Sequence, residues 1–328
     1  QLDPAKTYFK ASSGRLMRYI VYAGDSTAIR RSDFLHVSVH GLGDRAESFE
    51  EYHQQWSRAG YTSLSVGLHG SDLDLLRQEK KARGQLRLVY DFNHQVQDLV
   101  ELLASQNQSR VAISSHSAGV PISLAVAKEL RLRGIEVAVI AGGPFLNFRT
   151  AVERAINPEA FRKMAKDAVM SPGKLKERIE GMLKFFLTTA LRDHFEKIAA
   201  LKGRPLPKED KDLLGVGATA IAMGLKSIDL MDKSDPLGIR SALQGSSLLV
   251  LIGEKDKVIH PSSTRRFGRE MKAAGLYVEA ISLPETEHDL FEIPALKTFP
   301  TAHDFFVASF GRPIFKSTPI RSILRYLR

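Results

Sequence analysis

The chain has 328 residues, 43% of them hydrophobic and 26% charged. That composition excludes a disordered tail or a collagen-like repeat and suffices for one large domain or two small ones. With no cysteine in the chain, disulfides, zinc–thiolate sites, iron–sulfur clusters and a cysteine nucleophile are ruled out. The net charge of +10 is spread as +3, +4 and +3 over residues 1–150, 151–250 and 251–328, whereas a nucleic-acid binder concentrates its charge in a patch or stripe.

In chain order, the first half reads as strands alternating with helices. Strands are expected at Leu16–Tyr22 and Phe34–Val39, a helix at Ala46–Ala59, a strand at Thr62–Leu68 and a helix at Tyr90–Ser105. In that last helix Val96, Leu99, Val100 and Leu103 recur at the i, i+3, i+4, i+7 spacing of one buried face. A strand at Arg110–Ser115, a helix at Val120–Arg133 and a strand at Glu136–Ala141 follow. From Phe145 to Arg240 the alternation stops: helix formers dominate, as in Ala151–Ile156, Pro158–Met170, Lys174–Ala190 and Lys208–Leu225, with an apolar cluster at Met182, Leu183, Phe185, Phe186 and Leu187. The stretch is too long for a loop inside a compact domain and reads as a helical insertion. Alternation resumes with a strand at Ser247–Ile252, a helix at Ser262–Ala274 and a strand at Tyr277–Leu283. Several strands are apolar almost throughout, as strands covered on both faces must be. The fold class is therefore α/β, a mostly parallel sheet with helices on both sides.

The longest stretch without a formal charge, Val111–Ala127, contains His116, several serines and Pro121, so it does not read as a membrane span and the chain is expected to be soluble. The start at Gln1 reads as a processed or trimmed end. Composition suits a bacterial exported protein and a cytoplasmic one alike, and compartment and oligomeric state stay open. The last residues, Gly311–Arg328, carry Arg312, Lys316, Arg321, Arg325 and Arg328 with no acid, interleaved with Ile314, Phe315, Ile320, Ile323, Leu324 and Leu327. Two readings stand: a basic amphipathic segment touching an anionic membrane surface, or a terminal helix with solvated arginines. The second is preferred, since most charge runs only face solvent.

The most informative segment runs from Arg110 through Ser115-His116-Ser117-Ala118-Gly119 to Leu124. It joins a buried strand directly to a helix. A serine at such a turn needs small neighbours two before and two after it. The turn lifts the Ser117 hydroxyl above the sheet and leaves the Ala118 N–H at a helix N-terminus, suited to an oxyanion. Three further segments fit the same chemistry. Val39-His40-Gly41-Leu42-Gly43-Asp44 follows an apolar strand and offers the backbone N–H of Leu42 as a second, preset oxyanion donor. Asp256 follows the strand at Ser247–Ile252, where a triad acid sits. His288 follows the strand at Tyr277–Leu283, in a loop at the sheet's carboxyl edge, where ligand sites form.

With Ser117, Asp256 and His288 in that chain order, the sequence resembles the α/β-hydrolase superfamily over nearly its whole length. It is most similar to the branch of monoacylglycerol lipases, lysophospholipases and related carboxylesterases. The stretch from His40 through Trp56, Gly60, Tyr61, His69 and Gly70 to Asp72 resembles that branch's oxyanion loop, first helix and Gly-His-Gly-like loop. Ser115 stands where the elbow usually has glycine, and the glycine often found before the histidine is missing at His288. The resemblance implies a hydrolase core at 1–144 and 241–328, a helical cap at 145–240, and acyl transfer by Ser117, His288 and Asp256 without a cofactor or metal. The expected substrate is a small-molecule or lipid ester with an apolar chain, bound with help from His69, Phe145 and Phe186. An amidase, a peptidase, a carbon–carbon bond hydrolase and a non-catalytic binding module remain alternatives on the same scaffold. His40 is expected to be structural and His116 to point away from Ser117. Glu254 and Asp289 are alternative acids; His260 and His303 are expected at the surface.

Overall fold

A computed structural model describes residues 7–24, 31–42, 44–84, 91–147, 196, 205–225, 228–230, 232, 235, 238–288, 290–291 and 295–311. The strands are β1 (Thr7–Lys10), β2 (Leu16–Tyr22), β3 (Arg31–Val39), β4 (Tyr61–Val66), β5 (Arg110–His116), β6 (Glu136–Gly142), β7 (Ser247–Gly253) and β8 (Tyr277–Leu283). The helices are α1 (Glu50–Arg58, entered through a 3-10 turn at Ala46–Phe49), α2 (Leu73–Arg83), α3 (Phe92–Ala104), α4 (Gly119–Leu132), α5 (Lys208–Leu225), α6 (Ile239–Ala242), α7 (Pro261–Ala273) and α8 (Ala295–Gly311). The expected insertion helices at Ala151–Ile156, Pro158–Met170 and Lys174–Ala190 lie outside the described residues, as do Phe186, Asp289 and the basic tail from residue 312.

All eight strands form one sheet in the order β1-β2-β4-β3-β5-β6-β7-β8. From β4 to β8 every pairing is parallel, while β1 and β2 add an antiparallel hairpin at one edge. Strand register brings the carboxyl ends together: Val39 pairs with Ser115, His116 with Gly142, and Gly253 with Leu283. Each of these ends turns directly into a loop carrying a candidate site residue.

Strand alternation sends side chains to two cores. In β7, Leu248, Val250 and Ile252 face one cluster with residues of α3, α4, α5 and α7, while Leu249 and Leu251 face a second with α1 and α8. The second core is largely aromatic. Trp56 is fully buried, stacks on His36 at a ring distance of 4.4 Å and meets Phe34, Tyr61 and Phe299 edge-on. Fully burying one such large side chain stabilises by about 1.5–3 kcal/mol.

One part of this second face departs from the expected apolar strand. His36, Ser38, Ser63, Ser65 and Ser114 all lie buried beneath α1. Such groups are tolerated because they are hydrogen-bonded to one another and to α1. The His53 ring joins Ser38 Oγ at 2.5 Å and Ser63 Oγ at 2.8 Å, while Ser114 Oγ meets His36 Nε2 at 3.0 Å and the Tyr52 hydroxyl at 2.9 Å.

α5 packs on α2 and on the loop after β4. Gly217 of α5 touches Gly70 so closely that a Cβ on it would fall 1.8 Å from the Gly70 carbonyl oxygen. The Arg77 guanidinium grips both carboxylate oxygens of Asp210 at 2.8 Å. Among the described residues no helix is long and apolar enough to cross a membrane.

Candidate active site

β5 ends at His116, and the chain turns at once through Ser117 and Ala118 into α4. Three non-glycine residues among those described have positive φ. Two are Asn107 and Asp235, whose types tolerate the left-handed region; the third is Ser117, at +48°. A serine held there stores strain on the order of 1–3 kcal/mol and persists only where its surroundings over-determine it. Those surroundings are visible. The Ser117 N–H donates to the Gly142 carbonyl at 2.8 Å, and the Ser117 carbonyl accepts from the Val120 N–H at 3.0 Å. At Gly119 an added Cβ would lie 2.5 Å from the His40 oxygen and 2.6 Å from the Val39 oxygen, so only glycine lets α4 begin this close to β3. Ser115 is accommodated differently: fully buried, it donates its hydroxyl to the Ile140 carbonyl at 2.9 Å. That bond satisfies the one polar group serine adds where the usual elbow has glycine.

The loop expected to carry an oxyanion donor leaves β3 at His40. Nδ1–H of His40 donates to the Gly41 carbonyl at 2.8 Å, and Nε2 accepts the Leu68 N–H at 3.0 Å, with the Ser71 hydroxyl 3.2 Å away. These contacts fix one neutral tautomer, and burial keeps the ring's pKa below its ordinary value. His40 is thus structural, binding the loop after β3 to the loop after β4. Leu42 sits half-buried in a tight turn closed by Asp44 N–H to the Gly41 carbonyl. Gly41 lies against Ser117, since a Cβ there would be 3.2 Å from Ser117 Cβ. Ala118 is buried and precedes α4, so its N–H points from the positive end of the helix.

Asp256 and His288 meet directly: His288 Nδ1–H donates to Asp256 Oδ2 at 2.8 Å. The other carboxylate oxygen accepts the Val258 and Ile259 N–H groups, each at 2.8 Å. Burial opposes ionisation of Asp256, but the hydrogen bond and charge interaction with His288 and the two N–H donors outweigh it, holding the carboxyl below its ordinary value. Gly253 makes this meeting possible, because a Cβ on it would sit 2.3 Å from the Glu287 carbonyl oxygen. Gly143 lies under the pair, its Cβ position 3.4 Å from His288 Nδ1 and 3.5 Å from Asp256 Oδ2. Ser117 is bonded to Gly142 next door, so Ser117, Asp256 and His288 converge on the end of β6. With Nδ1 committed to Asp256, His288 keeps Nε2 as its basic nitrogen.

Not every expected residue joins this group. Phe145 is packed in the larger core, 3% exposed. His69 is half-buried, its N–H donating to Gln95 Oε1 at 3.0 Å, and burial together with Arg15 lowers the pKa of its ring. Glu254 is engaged by Arg265. The ring of His116, expected to point away from Ser117, lies with its centre 4.6 Å from that of His288. Sequence reasoning also assigned no part to Asp44, Gly142 or Gly143. Their only advance signal was position at the strand ends, which does not show where side chains point. No group of His, Asp and Glu side chains able to hold a metal occurs among the described residues.

Residues 32–292 match the family described as "Serine aminopeptidase, S33". No curated protein matches the chain. Among solved structures, an alpha/beta hydrolase enzyme from a Medee basin deep-sea metagenome library superposes with a TM-score of 0.60 at 15% identity, covering 96% of this chain and 100% of the other. The enol-lactonase from Burkholderia xenovorans LB400 gives 0.57 at 16% identity, covering 92% and 100%. The esterase from Exiguobacterium antarcticum gives 0.55 at 15%, covering 92% and 98%. At these identities the likeness is one of fold.

Proposed function

The chain belongs to the serine aminopeptidase (S33) hydrolase family, with the α/β-hydrolase fold, and on that premise we propose that it is a serine hydrolase cleaving carboxylic esters through Ser117, His288 and Asp256. The observation that carries the proposal is the Ser117 backbone at φ +48°, beside the hydrogen-bonded Asp256–His288 pair. Strain at a serine on a strand-to-helix turn has a use in nucleophilic catalysis and none in packing.

In this reading His288 Nε2 takes the proton of the Ser117 hydroxyl as Oγ attacks the ester carbonyl. The developing oxyanion is met by the N–H groups of Leu42 and Ala118, set before the reaction by the His40 contacts and by the α4 N-terminus. Asp256 holds His288 in the tautomer whose Nε2 is basic and stabilises the imidazolium. The imidazolium returns its proton to the leaving alcohol. Water, activated by the same nitrogen, then releases the acid from Ser117.

In the same reading residues 145–240 serve as a cap that supplies an apolar acyl pocket, with Phe186 contributing and His69 at its polar end, while Phe145, packed in the larger core, supports the pocket from behind rather than lining it. The substrate is a small-molecule or lipid ester. The basic tail, beyond the described residues, contacts an anionic membrane surface if it acts outside the domain.

A second reading follows from the family's description: an aminopeptidase working with the same three residues. Hydrolysis of p-nitrophenyl esters from acetate to palmitate, set against aminoacyl p-nitroanilides, separates the two. Turnover of esters with a chain-length optimum and little anilide cleavage is the expected result. Anilide cleavage exceeding ester cleavage would replace the ester reading with the peptidase one.

A further inference from the structure

His116 occupies the last position of β5, between the strand and the nucleophile, and its side chain is 5% exposed. Both ring nitrogens face groups on other loops. Nε2 lies 2.7 Å from the backbone oxygen of His288. A carbonyl only accepts, so Nε2 carries hydrogen and donates. The same oxygen also receives the Leu290 N–H at 2.9 Å. On the other side Nδ1 lies 3.5 Å from Asp44 Oδ2, whose side chain is 8% exposed. Between them runs Gly41: a Cβ on it would be 3.1 Å from His116 Nδ1, 3.2 Å from Asp44 Oδ2 and 3.2 Å from Ser117 Cβ. Asp44 and His116 therefore pass directly beneath the oxyanion loop and alongside the nucleophile, reaching the loop that carries the base.

We propose that His116 is a positioning residue for the base, fixing the His288 backbone in register with Ser117 and the oxyanion loop through its Nε2–H bond to the His288 carbonyl. The inference rests on the reading of Ser117 as nucleophile and His288 as base. The need for such a strut follows from where His288 stands. Its loop leaves β8, the edge strand, whose residues are mostly half-buried or exposed. Asp256 secures the ring at Nδ1 and the Lys255 N–H holds the loop at the Thr286 carbonyl, but both ties run to the loop after β7 and neither links the His288 backbone to the elbow. The His116 bond supplies the second fixed point; on the ring's other side Asp44 Oδ2 stands 3.5 Å from Nδ1, and attracts it when the imidazole is doubly protonated. Elbow, oxyanion loop and base loop are thereby braced to one another through one imidazole.

The test uses three substitutions in the full chain. His116→Gln keeps an N–H donor at the position of Nε2 and loses the nitrogen facing Asp44. His116→Asn keeps a donor near the Nδ1 position and falls short of the His288 carbonyl. His116→Leu fills the space with no donor. The readouts are kcat and KM on the best ester, with thermal unfolding to show that each variant is folded. Asn and Leu are expected to lower kcat by about 10- to 100-fold, the scale of an ångström of misplacement at the reacting atoms, with KM within about 3-fold. Gln is expected to recover most of that loss. Equal loss in all three variants, or a kcat in Asn and Leu matching the parent, overturns the proposal, as does a change confined to KM. Ser117→Ala runs beside them: turnover surviving that change refutes the underlying nucleophile, whatever His116 does.

Discussion

Two glycine-to-alanine substitutions, chemically identical, are expected to change stability in opposite directions. At Gly119 the new methyl group would sit 2.5 Å from the His40 oxygen and 2.6 Å from the Val39 oxygen, both backbone atoms at the start of the loop after β3. At least about 0.5 Å of separation between α4 and that loop is needed merely to reach 3.0 Å, the limit below which something must shift. Overpacking of this kind costs about 1–3 kcal/mol. Because the displaced groups carry Ser117 and the proposed oxyanion donor at Leu42, kcat/KM is expected to fall on the order of 100-fold as well. At Gly268, inside α7, the methyl would meet only Val250 Cγ2 and Val278 Cγ1, each at 3.8 Å, an ordinary contact. There the helix propensity of alanine governs, and a gain of about 0.4–1 kcal/mol is expected with unchanged activity. Urea unfolding and ester kinetics on the two variants read both effects. A Gly119→Ala protein as stable and as active as its parent would refute the claim that this close approach sets the site's geometry.

Three other outcomes follow from the same structure. Asp256→Asn is expected to lower kcat by about 10⁴-fold with little effect on folding. The remaining oxygen is needed by the Val258 and Ile259 N–H groups, so the amide NH₂ faces His288 Nδ1 and forces the wrong tautomer; a loss under about 10-fold would contradict this. Stability is expected to decline as pH falls below 6.5, because His53, with its pKa pushed down to about 3 by burial, binds a proton in the unfolded chain before it does so in the native one. The slope from that residue is about 1.4 kcal/mol per pH unit, and His53→Gln should flatten the profile by that amount in urea titrations between pH 7 and 5; an unaltered slope would show that His53 is not responsible. Gly217→Ala, with its Cβ 1.8 Å from the Gly70 oxygen, is expected to lift α5 from the loop after β4 and to lower the unfolding midpoint by the equivalent of about 1–3 kcal/mol; an unshifted midpoint would argue that the two glycines are not in contact.

Strands with strong β-branched and apolar content were legible: β2 and β8 match the expected ranges residue for residue, and α5 begins and ends where its sequence suggested. What stayed hidden was decided by tertiary contact. β1 has four half-exposed or exposed residues and exists through its pairing with β2. α2 groups its leucines in its first turn, so no helical stripe announces it, although Asp72 caps it and Gly84 ends it in a left-handed conformation. α8 contains Pro300, a helix breaker by propensity; Phe305, Phe306 and Phe310 nevertheless seat it in the aromatic core, with Phe306 and Phe310 against Phe34. In the site, the Asp256–His288 meeting was readable from residue type and strand order. The part of His116 was not, because a sequence places a residue on a strand end but does not aim its ring at a carbonyl on a loop far along the chain.

Covalent labelling reads out whether Ser117 is the nucleophile. The protein is treated with a fluorophosphonate and digested with trypsin, and the peptide Val111–Lys128 is fragmented to locate the adduct among Ser114, Ser115, Ser117 and Ser123. A stoichiometric adduct on Ser117 is expected, absent from Ser117→Ala and from protein unfolded before treatment. A folded protein left unlabelled, or an adduct on another serine, would contradict it.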